Sequence, residues 1–311
     1  MSATQHSIRP FGPFDLHTVG NADTSVAFVA SASAYVHSLR LAGRELLLPY
    51  ADGRELHRNP DTRNLSLLPF PNRLARGSYT WEGQTLHFPV NDWKAQSALH
   101  GFANQAYFDI ARLDLSTEHA VIALRYFHIS EEHPAAYPFN VLFELALSLD
   151  FTKPAFRWQL TATNLQHRGD VPVGTGWHPY FALPGGHQQW RITMPPNQSV
   201  ELQASLPTGK CGDGVPAGRP VLIDTAWDSC FALTDPQHES TVRLSGPDYS
   251  LALRQFGDLR YTQLYVPPAA NAVAIEPMSC NVNAFSSAPE EVRLSANASR
   301  TLGMEVLLDR V

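Results

Sequence analysis

Apolar and polar residues alternate along this chain in short runs, and the runs stop at clusters of Gly, Pro, Asn or Asp. Ser25 to Leu41, Gly77 to Phe88, Val121 to Ile129, Val141 to Leu149, Ala155 to Asn164, Val242 to Arg254, Leu264 to Val266 and Thr301 to Leu308 all read this way. A side-chain period of two gives a strand one core face and one solvent face, so these segments are predicted to be β-strands. Turns are expected at Asp52-Gly53, Glu82-Gly83, Pro184-Gly185-Gly186 and Gly246-Pro247-Asp248, where glycine or proline suits a reversal of the chain. No stretch of about twelve residues sustains a helical period. Leu99 to Phe108 is at most a turn or short helix, and 24 prolines with 19 glycines leave little room for long ones. The expected fold class is all-β, a large antiparallel β-sandwich.

Two runs share one design, Gly174-Thr175-Gly176-Trp177-His178-Pro179 and Ala272-Val273-Ala274-Ile275-Glu276-Pro277. By alternation, Gly174, Gly176 and His178 share a face with Val173, Thr175 and Trp177 behind. Ala272, Ala274 and Glu276 share a face with Val273 and Ile275 behind. Each run is expected to offer a bare strip of backbone as a floor for a ligand, ending in one polar side chain. Each closing proline removes a ladder donor and holds its predecessor extended.

At 311 residues with 44% hydrophobic content, the chain can bury a large core, and no linker composition interrupts it. One domain over 1–311 is expected, with its core at about 20–310. The net charge of −6 without any Lys/Arg run gives no footprint for nucleic acid or an anionic membrane. The first thirty residues lack a basic segment followed by an apolar one, and no stretch approaches the roughly 18 apolar residues that span a bilayer, so a cytoplasmic location is expected. Cys211, Cys230 and Cys280 are too few and scattered for a disulfide scaffold or zinc ribbon, and are expected to be reduced and mostly buried.

Five blocks carry a resemblance. Pro71-Asn72-Arg73-Leu74-Ala75-Arg76-Gly77 with Tyr79 and Gly83, Leu99-His100-Gly101, Trp177-His178-Pro179-Tyr180-Phe181, Trp227-Asp228-Ser229-Cys230-Phe231, and Ile275-Glu276-Pro277-Met278 with Asn283-Ala284-Phe285 occur in the order found in the aldose 1-epimerases, or mutarotases. They span about residues 28–308, and the chain most resembles a bacterial branch carrying Glu-Pro-Met. The resemblance implies a galactose mutarotase-like β-sandwich whose concave face binds a monosaccharide. It also implies interconversion of the α and β anomers of a free aldose without a cofactor; the sequence leaves the oligomeric state open between monomer and dimer.

Anomerisation requires a proton taken from the C1 hydroxyl and one given to the ring oxygen, so a base and an acid on opposite sides of the sugar ring are expected. The resemblance implies Glu276 as base and His178 as acid, the latter suited by an imidazole pKa near ambient pH. It further implies that Arg73 donates to sugar oxygens, that His100 lies near the ring oxygen, and that Asp228 accepts from sugar hydroxyls; as a permanent cation Arg73 is also expected to help keep Glu276 ionised. Asn72 either holds the loop or touches sugar. Trp177 is expected to face the core, and His57, His128, His133 and His187 the surface.

Other chemistries fit less well. No His-x-His, His-x-x-x-His or paired-Cys spacing indicates a catalytic metal. Asp228 and Glu276 could pose as a glycosidase pair, which would leave the His-Pro-Tyr-Phe block without a role. Gly174-x-Gly176 is followed by His-Pro where a dinucleotide fingerprint needs a helix. A sugar-binding or sensing protein, and a hexose-phosphate mutarotase using Arg54, Arg58, Arg63 or Arg76, remain as alternatives.

Overall fold

The computed structural model describes residues 4–103, 105–223, 226–235 and 240–310. Among these the fold is all-β with antiparallel sheets, as the alternation predicts. The two largest sheets have nine and eight strands. The nine-stranded sheet centres on His119–His128, Val141–Asp150, Ala155–Asn164, Ser299–Arg310 and Tyr249–Gly257, paired in that order. The eight-stranded sheet runs through Asn197–Gln203, Asp228–Leu233, Tyr261–Tyr265, Val273–Met278 and Gly176–Trp177. An N-terminal five-stranded meander covers Gln5 to Glu45.

The core lies between the large sheets. Phe143, Leu145, Phe156 and Trp158 from the first meet Trp177, Phe231, Leu264, Val273 and Ile275 from the second in one cluster. Trp158 and Trp177 stack at 5.6 Å and 7° between planes, and both are fully buried. Trp177 therefore points into the core, and its Nε1 donates to the Asn64 carbonyl at 3.3 Å, satisfying the one polar atom that its burial would orphan. Because side chains alternate, Val273 and Ile275 entering the core force Ala274 and Glu276 to the opposite face, and Leu264 does the same for Gln263 and Tyr265.

Local chemistry departs from the expected elements in two places. Asp52-Gly53 opens a helix, Gly53–Arg58, rather than a simple turn: Asp52 Oδ1 accepts from the N–H groups of Arg54 and Glu55 at 2.8 Å, and Asn59 ends it in the left-handed region. His128 is not a surface residue. It closes the inward row Ala120, Ile122, Leu124, Tyr126 and is fully buried, because the period of two continues to the last residue of its strand. Cys230 and Cys280 are buried and Cys211 is exposed, all as free thiols. Among the described residues, no helix is long and apolar enough to cross a membrane.

Candidate active site

A cavity of about 500 Å³ opens on the outer face of the eight-stranded sheet, and all six sequence-nominated residues line it: Asn72, Arg73, His100, His178, Asp228 and Glu276. Register explains their convergence. Gln263 pairs with Glu276, and Tyr265 pairs with both Asp228 and Ala274, so Asp228, Tyr265, Gln263 and Glu276 stand on one face of three adjacent strands. The pairing of Gly176 with Met278 brings the next strand alongside, and His178 follows two residues later on the same face.

The bare-strip reading of the small residues is overturned. A Cβ on Gly174 would fall on Cys280 Sγ, and one on Gly176 would lie 3.1 Å from both the Pro277 carbonyl and Pro71 Cβ. The glycines make room for packed neighbours, Cys280 and Pro71 at Gly174 and Pro277, Pro71 and Leu67 at Gly176, rather than floor a ligand site. Ala272 and Ala274 are likewise covered, by a cluster with Tyr180, Leu48 and Tyr265.

His178 Nε2 lies 3.5 Å from Glu276 Oε1, with side-chain exposures of 7% and 2%. The two groups therefore sit side by side, not across a sugar ring. A hemiacetal explains why this geometry is useful: its hydroxyl and ring oxygens share one carbon, so one neighbouring pair of groups can reach both. Each residue also keeps one buried atom without a hydrogen-bond partner, His178 Nδ1 and Glu276 Oε2. Leaving a buried polar atom unpaired costs least when its group is uncharged, which fits the burial of both side chains.

By distance the pair could be ionic, but burial decides otherwise. Loss of solvation lowers the His178 imidazole to about 3 and pushes the Glu276 carboxyl well above the usual carboxylate range. Asp228 adds to the upward push on Glu276, while Arg73 opposes it and is outweighed. Arg73 thus does not keep Glu276 ionised, and His178 does not titrate near neutrality. The neutral pair carries one shared proton, the same count as a carboxylate beside an imidazolium.

The surroundings orient these groups. Tyr180 stacks on His178 at 5.1 Å, and His100 meets it edge-on at 5.1 Å. The His100 Nδ1 accepts from the Asn72 N–H at 3.0 Å, which leaves the ring proton on Nε2 as a donor. His100 is held neutral, first by burial and then by the neighbouring His178 and Arg73. Arg73 Nε donates to Asp92 at 2.9 Å, and Asn72 Oδ1 accepts from the Arg73 N–H at 2.9 Å. Asn72 Nδ2 donates to Gln263 Oε1 at 3.3 Å, and Gln263 Nε2 donates to Asp228 Oδ1 at 2.7 Å. Asn72 holds its loop and lines the cavity at once.

Sequence reasoning missed Gln263, Asp92, Tyr265 and Asp61. Gln263 and Tyr265 share a strand face within Tyr261-Thr262-Gln263-Leu264-Tyr265, and a polar residue between aromatics on one face was a readable signal. Asp92 and Asp61 lie on loops and carried none.

Residues 15–306 match the family model described as aldose 1-epimerase. The uncharacterized protein YihR of Escherichia coli strain K12 is 25% identical over 276 residues, covering 84% of this chain and 83% of its own. Among solved structures, a galactose mutarotase-like protein from Clostridium acetobutylicum superposes with a TM-score of 0.87 at 15% identity, covering 99% of both chains. A galactose 1-epimerase from Lactobacillus acidophilus gives 0.84 at 14% identity, covering 100% of this chain and 99% of that one.

Proposed function

The chain belongs to the aldose 1-epimerase family, and from that premise we propose that it interconverts the anomers of a free, unphosphorylated aldose with His178 and Glu276 as the proton-transferring pair. The observation that carries this reading is the buried contact at 3.5 Å between two titratable groups facing a sugar-sized cavity. Glu276 takes the proton from the C1 hydroxyl while His178 gives one to the ring oxygen. The bond from C1 to the ring oxygen breaks, C1 becomes a carbonyl, and rotation about C1–C2 presents its other face. Closure runs the same transfers backwards.

The proton count closes at every stage. Before opening the pair is carboxylate and imidazolium; after opening it is carboxylic acid and neutral imidazole. Burial favours the second form, which is also the resting one, so the first is reached by passing one proton from Glu276 Oε1 to His178 Nε2 before the ring opens. Arg73 partly offsets this and keeps the first form within reach. The proton passes between His178 Nε2 and Glu276 Oε1, and no cofactor is called for. Arg73, His100, Asn72 and Asp228 bind sugar oxygens in this scheme, within one sandwich domain.

An unphosphorylated sugar suits the walls better than a hexose phosphate. Of Arg54, Arg58, Arg63 and Arg76, Arg58 alone lines the cavity, while Arg63 is bound to Asp61 at 2.8 Å. Asp61 and Asp228 also line it and would repel a phosphate. The test is anomer exchange followed by polarimetry or NMR over a panel of aldoses. Exchange well above the spontaneous rate on at least one supports the reading; tight binding with no acceleration on any would make this a sensor instead.

A further inference from the structure

On the other large sheet, the turn after His119–His128 brings three metal-ligand types together. His128 Nδ1 lies 2.9 Å from the Phe139 carbonyl oxygen, which can only accept, so Nδ1 carries the proton and Nε2 presents a lone pair. That Nε2 lies 3.1 Å from His133 Nδ1. Glu132 joins them, the three ligand atoms lying within 4.8 Å of one another. We propose that His128, Glu132 and His133 bind a divalent transition-metal ion of the zinc class, at a site separate from the sugar cavity.

The geometry accommodates an ion in place of the hydrogen bond that the two imidazoles otherwise share. Zinc–nitrogen bonds of about 2.0–2.1 Å in tetrahedral array place two imidazole nitrogens about 3.3 Å apart, close to the spacing found. Two ligands already have the outer partners that metal sites use. The Phe139 carbonyl fixes the tautomer of His128, and the Tyr126 hydroxyl donates to Glu132 Oε2 at 2.8 Å. Phe102 stacks on both imidazoles, with centroids at 4.9 and 4.4 Å, and holds them in place. Two nitrogens and one carboxylate oxygen suit zinc rather than magnesium or calcium. Glu132 is exposed and His133 half-buried, leaving the remaining coordination position on the solvent side.

His6 and His17 provide an internal contrast. Their rings stack with Nε2 3.2 Å from Nδ1, but no third donor joins them within the same reach among the described residues. The proposed ion would fasten the turn against Phe102, in a segment whose neighbours His100 and Ala103 line the sugar cavity. Its part is structural.

The test is titration of the metal-stripped full-length chain with ZnCl₂, and with CoCl₂ to read ligand-field bands. One equivalent should saturate with micromolar or tighter affinity and raise the melting temperature by roughly 2–4 °C. His133→Asn and Glu132→Gln should each weaken binding at least about tenfold without altering anomer exchange, and His17→Asn should change neither. Absence of saturable binding would overturn the proposal. So would binding that survives His133→Asn or disappears in His17→Asn.

Discussion

Asn72 and His100 hold each other through reciprocal bonds: the Asn72 N–H donates to His100 Nδ1 at 3.0 Å, and the His100 N–H donates to the Asn72 carbonyl at 2.8 Å. Both residues adopt positive φ, at 59° and 61°, where the backbone turns into the cavity. The contact makes His100 a pre-set donor. His100→Phe removes that donor and strands a buried N–H. We expect a KM increase of about tenfold or more, with a stability loss of about 1–3 kcal/mol. Steady-state kinetics and urea denaturation separate the two; a purely structural residue would leave KM unchanged.

Gln263 spans the floor between Asn72 and Asp228 and stands directly opposite Glu276. Gln263→Leu keeps the volume but frees Asp228, a group that also pushes up the Glu276 carboxyl. Activity on the best aldose should fall by about tenfold to a hundredfold, mostly through KM, as expected when one or two oriented hydrogen bonds are lost. An unchanged KM would remove Gln263 from the site.

Gly174 separates packing from binding. Its missing side chain admits Cys280, so Gly174→Ala overpacks the sheet at a buried position. Destabilisation of about 1–3 kcal/mol is expected in chemical denaturation. Sugar affinity per folded molecule should persist, whereas a ligand floor at Gly174 would show the reverse pattern.

Histidines held neutral by full or partial burial make the fold sensitive to acid. His178 and His37 are lowered to about 3 and about 4 by burial, while in the unfolded chain each takes up a proton near 6.5. Between those values the unfolded state binds more protons, so stability rises with pH and is lost as pH falls from about 6.5 towards 4. Glu276 has the opposite sign: its raised carboxyl penalises the fold as pH climbs through its folded value. Urea midpoints across the acid range should drop steadily for the wild type and more shallowly for His37→Gln. Equal slopes would contradict a half-buried His37 that stays neutral in the fold.

Strands with clean alternation were legible from sequence because one face must be dry, which is why Ala155–Asn164 matches to the residue and Trp177 lies in the core. The same rule would have placed His128 inside, had the pattern Ala120 to Tyr126 been carried one step further. Glycines were harder. A glycine marks a close approach, but the approaching group comes from distant sequence, and at Gly174 it is Cys280 rather than a sugar. The His128–His133 pair escaped for a related reason: its spacing follows no helix or strand repeat and is closed by a turn. The six nominated residues share one cavity, yet the side-by-side setting of His178 and Glu276 depends on strand register that local patterns do not contain.

The most direct measurement is anomer exchange by NMR for wild type, Glu276→Gln and His178→Asn on the same aldose, with sugar affinity measured in parallel. Loss of a positioned acid or base should slow exchange by about 10²–10⁴-fold in each variant while affinity changes far less. Exchange at the wild-type rate in either variant would contradict the account of a proton-sharing pair.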